Sequence, residues 1–189
     1  MYGHIDVKEA NIAVNSAIDH GITLFDTAEV YGPYHSEELL AEALGKKRKE
    51  IVLVTKVGFQ YDESGRNVGR NSQYAHVIER AEGCLRRLRT DFLDLLLIHW
   101  PDHNTLFEEP ISALEQLKHD GKIRHYGVSN FTPEMIDECE KYGHITTNQV
   151  GYHMFDRRME SKVLPYCLDK NIGFMAYGTL GFGLLSGAF

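Results

Sequence analysis

The sequence lacks a basic excess. Lys and Arg total 20 against 27 Asp and Glu, a net charge of −7 over 189 residues. That balance argues against nucleic-acid binding, which leaves a basic footprint. The one dense basic run, Lys46 to Lys49, lies between a helix-like and a strand-like stretch and reads as a solvated helix end. No stretch approaches the ~18 apolar residues of a membrane helix. The N-terminus also lacks the basic-then-apolar pattern of a secretion signal. Cysteine is scarce. Cys84, Cys139 and Cys167 are far apart, odd in number and without CxxC spacing, which argues against a disulfide framework or a zinc site. Each falls among helix-period residues, as a small core hydrophobe does. A reducing cytoplasm fits all of this.

Several catalytic motifs are missing too. There is no G-x-S-x-G and no P-loop. "HWPDH" spaces His99 and His103 four apart, but Pro101 between them opposes the helix that an HExxH zinc site requires. No G-x-G-x-x-G follows the first apolar run. "GFGLLSG" matches it only loosely and lies at the far end of the chain.

What is present is ordinary in bulk and informative in order. Apolar residues make up 43% and charged residues 25%, as in a soluble globular protein with one sizeable core. Asp6 is a candidate N-cap for a helix whose apolar face is Val7, Ala10, Val14, Ala17 and Ile18, with Gly21 as its stop. Then come the strand "ITLFDT", a helix from Ser36 to Gly45 with Ser36 as N-cap, and the buried strand "EIVLVTK". A long polar loop, "GFQYDESGRNVGRN", leads to a helix carrying Val77, Ala81, Leu85 and Leu88. Next are the strand "FLDLLLIHW", a helix with Pro110 at its start and Gly121 at its end, and the strand "HYGVSNF". Thr132 before Pro133 opens a further helix that Gly143 closes. A strand within "ITTNQVGYHMF", a helix around "SKVLPYCLDKN" and the strand "IGFMAYGTL" complete the order, before a glycine-rich tail. Six apolar strands separated by amphipathic helices predict a parallel sheet covered on its faces. With no dinucleotide fingerprint to support a doubly wound sheet, a (β/α)8 TIM-barrel type is favoured.

In such a barrel, chemistry gathers at the C-terminal ends of the strands. Polar residues end the apolar runs here: Asp26 with Tyr31 in its loop, Lys56, His99, Ser129 with Asn130, Asn148 with Gln149, and Tyr177. Taken singly, Asp26 reads as a cap or loop brace, Lys56 as half of a structural salt bridge, and His99 as a hydrogen-bonded core imidazole. The Asn and Gln residues, taken singly, read as strand-end caps. Placed on one barrel mouth, they form a cluster. A free tyrosine has a pKa near ~10, and a nearby ammonium favours its phenolate. Lys56 supplies that ammonium, Asp26 pairs with it, and His99 orients a substrate oxygen. The set suits proton delivery to a carbonyl under reduction. Ser129, Asn130 and Gln149 suit a flat amide-bearing cofactor on which Tyr177 stacks.

These stretches resemble the aldo-keto reductase family over essentially the whole chain. "GITLFDTAEVYGPYHSEELLAEALG" resembles its signature around the catalytic Asp and Tyr, "IVLVTKVG" the Lys segment, and "DLLLIHWPD" the His segment. "GKIRHYGVSNF", "NQVGYHMF" and "MAYGTLGFGLLSG" are similar to its cofactor-contact stretches. The resemblance implies a barrel using NADPH, with NADH as the alternative, that reduces aldehydes or ketones to alcohols. Tyr31 is then the general acid, Lys56 and Asp26 tune it, and His99 orients the carbonyl. The same resemblance gives Ser129, Asn130 and Gln149 to the nicotinamide carboxamide and Tyr177 to its ring. It gives the loop with Gly178 and Leu180 to the pyrophosphate. The expected partner is a small carbonyl or alcohol, with no nucleic acid, membrane or metal. No particular carbonyl and no oligomeric state is specified. The chain resembles strands two to seven of eight, so residues 1–189 are expected to form a single incomplete barrel domain. The first strand and the last βα unit are expected to be absent, leaving two open edges and weak cofactor binding or none. A non-catalytic nicotinamide-binding regulatory subunit on the same fold, or an inactive fragment, is the alternative.

Overall fold

Asp6 caps the first helix by accepting the N–H groups of Lys8 at 2.7 Å and Glu9 at 3.2 Å, which satisfies two orphan donors of the first turn. The computed structural model describes residues 6–32 and 34–187. Helix α1 (Val7–Asp19) stops before Gly21, whose φ of +83° glycine adopts without strain. Its face is only half-buried: Val14 and Ile18 reach the core, while Val7 is exposed. Next follow β1 (Leu24–Asp26), α2 (His35–Leu44) and β2 (Val52–Val57). The 58–71 stretch read as a polar loop is instead a hairpin, β3 (Phe59–Tyr61) with β4 (Asn67–Arg70). Its tip is held by Asp62, which accepts from the Ser64 and Arg66 N–H groups. Then come α3 (Tyr74–Arg87), β5 (Leu93–Ile98), α4 (Glu108–His119), β6 (Ile123–Ser129) and α5 (Pro133–Cys139). The last elements are β7 (Thr147–Gly151), α6 (Val163–Asp169) and β8 (Gly173–Tyr177).

Three capping expectations change. Ser36 is not the N-cap of α2, because the helix starts at His35 and Tyr34 occupies that position with φ +68°. The Ser36 hydroxyl pairs instead with Thr27 at 2.8 Å. Pro110 lies third in α4, still within the first turn, where its missing N–H has no intrahelical partner to lose. Gly143 falls beyond α5, which ends at Cys139. A Cβ there would collide with the Tyr126 hydroxyl and Glu115, so close packing requires the glycine.

The six main strands are all parallel and lie in the order β1-β2-β5-β6-β7-β8. β5 is buried along its whole length and β2 is buried except at Val52, as expected of strands covered on both faces. The outer face packs on the helices through Leu53, Val57, Leu96 and Ile98. The inner face holds Val54, Leu95 and Leu97 against Met175. The sheet curls strongly. In a flat sheet, β1 and β7 would stand about 19 Å apart, at four strand spacings. Yet the Gln149 side chain on β7 donates to Asp26 on β1 at 3.2 Å. The result is a barrel-type wall. Its two end strands among the described residues are β1 and β8, and Leu24 on β1 is exposed.

The three cysteines are buried core residues. The basic run corrects its reading. It forms a short 3-10 turn, Gly45–Glu50, and Arg48 is not solvated. Arg48 donates to the Phe92 carbonyl at 2.7 Å and bridges buried Asp94 at 3.0 Å, with Arg124 on the other carboxylate oxygen at 2.8 Å. Asp94 also accepts the Leu53 N–H at 3.0 Å, fastening β2 to β5. Among the described residues, no helix is long and apolar enough to cross a membrane.

Candidate active site

One period-two register decides which side chains enter the barrel. Val54 and Leu97 face inward, so Lys56 and His99, two residues further on, do as well. Parallel partners share a face: Asp26 pairs with Val54, Gly127 with Leu97, Gln149 with both Ser129 and Met175, and Tyr177 with Gly151. Asp26, Lys56, His99, Ser129, Gln149 and Tyr177 therefore fall on one inner face, at the C-terminal strand ends. Gly127 is needed where β6 and β7 approach, because a Cβ there would run into the Thr147 carbonyl.

Lys56 is the anchor of the cluster. Only 1% exposed, it donates to both Asp26 oxygens at 2.8 and 2.7 Å and to the Thr27 carbonyl at 3.0 Å. Burial pulls the Lys56 ammonium below the ordinary lysine range, and the Asp26 carboxylate opposes that pull. The ammonium lies 5.2 Å from the centre of the Tyr31 ring. Tyr31 stands on the loop between β1 and α2, partly exposed, with its ring edge-on to His99 at 5.9 Å. His99 is buried against Phe59, whose ring centre is 5.1 Å away. Burial, then the positive charges of Lys56 and Arg70, lower its pKa to about 3, so the ring is neutral at pH 7. Its Nδ1 is buried without a hydrogen-bond partner.

A second polar chain adjoins the first. Ser129 donates to the Gln149 carbonyl at 2.9 Å and accepts from Asn130 at 3.0 Å. Asn130, at φ +64°, also donates to the His99 carbonyl at 3.2 Å, and its own oxygen accepts from the Tyr177 hydroxyl at 2.9 Å. The Tyr177 ring lies against Gly151. Gln149 joins this chain to the first through Asp26. Beside the cluster opens a cavity of about 380 Å³ walled by Asn130, Tyr177, Trp100, Phe131 and Phe182. Gly178 and Leu180 lie on the exit from β8, Gly178 at φ +68° under Phe182 and Leu180 exposed, and neither belongs to the polar chains.

The sequence reading missed three parts of the site. Phe59 and Arg70 sit on the β3–β4 hairpin, in a stretch whose polar composition predicts a loop. Arg70 donates to the Pro101 carbonyl at 2.9 Å and lies 5.0 Å from the Trp100 ring. The turn signal Asp62-x-x-Gly65 between two short alternating stretches could have revealed it. The third part is the fully buried carboxylate of Glu29, bridged to Arg80 of α3 at 2.7 Å; Glu37, equally buried but on α2 and outside the site, bridges Arg87 at 2.6 Å. No local pattern marks them.

Chemically, the arrangement offers a phenol and a neutral imidazole at one mouth, an ammonium fixed behind the phenol, and amide and hydroxyl groups alongside. It can deliver a proton to an oxygen and hold a planar amide. The family model that matches residues 1–189 is that of the aldo/keto reductase family. The aldo-keto reductase YhdN of Bacillus subtilis (strain 168) is 39% identical over 99% of this chain and 56% of its own length. The glycerol dehydrogenase AKR11B4 from Gluconobacter oxydans superposes with a TM-score of 0.92 at 40% identity, covering 100% of this chain and 58% of that one. An aldo/keto reductase from Klebsiella pneumoniae in complex with NADP and acetate gives a TM-score of 0.85 at 34% identity, covering 99% and 64%. The chain thus spans little more than half the length of the curated relative. Matched from end to end by the family model, and folded as these relatives are, the chain belongs to the aldo/keto reductase family.

Proposed function

We propose that this chain carries the catalytic centre of an NAD(P)H-dependent oxidoreductase that reduces aldehydes or ketones to alcohols. The observation that carries the reading is Lys56, buried, clamped by Asp26 and set 5.2 Å from the Tyr31 ring. Burying an ammonium is costly unless its charge is used or paired. Asp26 pairs it and fixes its position. Tyr31 donates its hydroxyl proton to the carbonyl oxygen, and Lys56 stabilises the phenolate left behind. His99, neutral at pH 7, orients the substrate oxygen without a charge of its own. The nicotinamide cofactor, when bound, supplies the hydride.

Ser129, Asn130 and Gln149 would hold the nicotinamide carboxamide, whose donor and acceptor they complement. Tyr177 would take the ring face, and the exit through Gly178 and Leu180 would follow the pyrophosphate. The fit rests on the continuous Ser129–Asn130–Tyr177 chain beside the Tyr31 mouth. These groups meet the part that NADPH and NADH share, and the NADP bound to the Klebsiella relative favours NADPH. The relative named a glycerol dehydrogenase points to small polyol or carbonyl partners. A cytoplasmic site fits three buried thiols and a reduced pyridine cofactor.

The test is Tyr31→Phe in the whole protein. NADPH should still quench intrinsic fluorescence on titration, while aldehyde-dependent loss of NADPH absorbance should disappear. Near-normal turnover in the variant removes Tyr31 as the acid.

A further inference from the structure

Glu29 is the residue that the proposed chemistry leaves unexplained. It lies in the loop between Asp26 and Tyr31, is completely buried, and carries a carboxylate. Burial raises its pKa above the ordinary range, against the pull of Arg80, so the site is a poor one for a charge. Well-packed apolar side chains commonly replace a buried ion pair at no loss of stability. A charged pair directly under a catalytic loop therefore calls for another reason.

The contacts supply it. One Glu29 oxygen accepts from Arg80 Nε at 2.7 Å, and the other faces the Phe59 N–H at 3.4 Å. Arg80 Nη2 donates at 2.7 Å to the hydroxyl of Tyr34, at the far end of the same loop. Tyr34 has a strained φ of +68°, and the Arg87 and Arg80 guanidinium groups lie 4.4 and 5.1 Å from its ring centre. The Glu29 main chain closes the frame, its N–H meeting the Lys56 carbonyl at 3.4 Å and its carbonyl accepting from Tyr34 at 2.8 Å. Glu29 and Arg80 thus join the loop that bears Tyr31, the strand that bears Lys56, and the residue whose ring packs on His99.

We propose that Glu29 and Arg80 form a positioning pair that fixes Tyr31 relative to Lys56 and His99. The proposal rests on the reading of those three residues given above. The molecule contains its own control. Glu37 is equally buried and bridges Arg87 of the same helix at 2.6 Å. Its other oxygen accepts from Thr55 at 2.7 Å, on the outward side of β2, and it sits in α2 rather than in the loop. Any general cost of losing a buried carboxylate is common to both residues.

The experiment compares Glu29→Gln with Glu37→Gln, and adds Glu29→Asp, which keeps the charge but shortens the reach. Four quantities are read: melting temperature, NADPH binding, steady-state turnover and amide hydrogen exchange. Both glutamine variants should lose similar thermal stability. Glu29→Gln and Glu29→Asp should lower kcat by about tenfold to a hundredfold, the scale of a slight misplacement of a reacting group. KM and NADPH affinity should change by less than about threefold, since only the chemical step is touched. Glu37→Gln should keep kcat within about twofold. Exchange at residues 27–32 and 34 and at the Phe59 N–H should quicken in the Glu29 variants and not in Glu37→Gln. Parallel losses of kcat in the two glutamine variants, or unchanged exchange in the loop, overturn the proposal. If the unaltered protein reduces no carbonyl, the functional reading fails, and the exchange comparison alone still decides whether Glu29 orders the loop.

Discussion

Acidification should weaken this fold through His99 by a calculable amount. The ring titrates near 6.5 when free, and burial, then the charges of Lys56 and Arg70, lower this to about 3 in the folded protein. Above pH 6.5 the ring is neutral in both states and contributes nothing to the pH dependence. Below that point the unfolded chain takes up a proton that the native state refuses. Stability therefore falls as pH drops from 6.5 towards 3 and levels off below. At pH 5 the loss is RT ln(1 + 10^1.5), about 2 kcal/mol. Urea unfolding followed by circular dichroism at pH 7.5 and pH 5.0 measures it. Other groups titrate over the same range, so the informative quantity is a difference of differences. The drop for the unaltered protein should exceed that for His99→Gln by about 2 kcal/mol. An equal drop in both proteins would show that His99 protonates freely in the native state, and the neutral-imidazole assignment would fall with it.

Two further outcomes follow from the same geometry. Lys56→Met should slow hydride transfer in a stopped-flow single turnover by about a hundredfold or more, while NADPH affinity stays within about threefold. Equal effects on both would make Lys56 a structural residue. Asp94→Ala strips the shared carboxylate from Arg48, Arg124 and the Leu53 N–H, so calorimetry should show a loss of about 3–5 kcal/mol. A loss under about 1 kcal/mol would place that cluster among weak surface pairs.

Local pattern was enough for much of this protein. Unbroken apolar runs with helical stretches between them specify parallel strands covered on both faces. Asp6 and Thr132 mark helix starts because a short oxygen-bearing side chain satisfies orphan N–H groups, a purely local demand. The polar residue ending each run was visible as well: Asp26, Lys56, His99, Ser129, Gln149 and Tyr177. Curvature was not legible in this way. Only the curled sheet brings Gln149 within 3.2 Å of Asp26, 123 positions away, and only the inter-strand register puts all six side chains on one face. Arg48 looked like one lysine-rich charge among four, and the tertiary structure turned it inward onto Asp94 and the Phe92 carbonyl. Gly143 looked like a helix stop, and Tyr126, packing from another strand, is what requires it. The place of the Arg70 side chain and the burial of Glu29 share the same cause. Their partners, Pro101, Trp100 and Arg80, lie 30 to 51 residues away. Periodicity reports what a residue does to its own segment. A buried charge is decided by the cation that another segment brings to it.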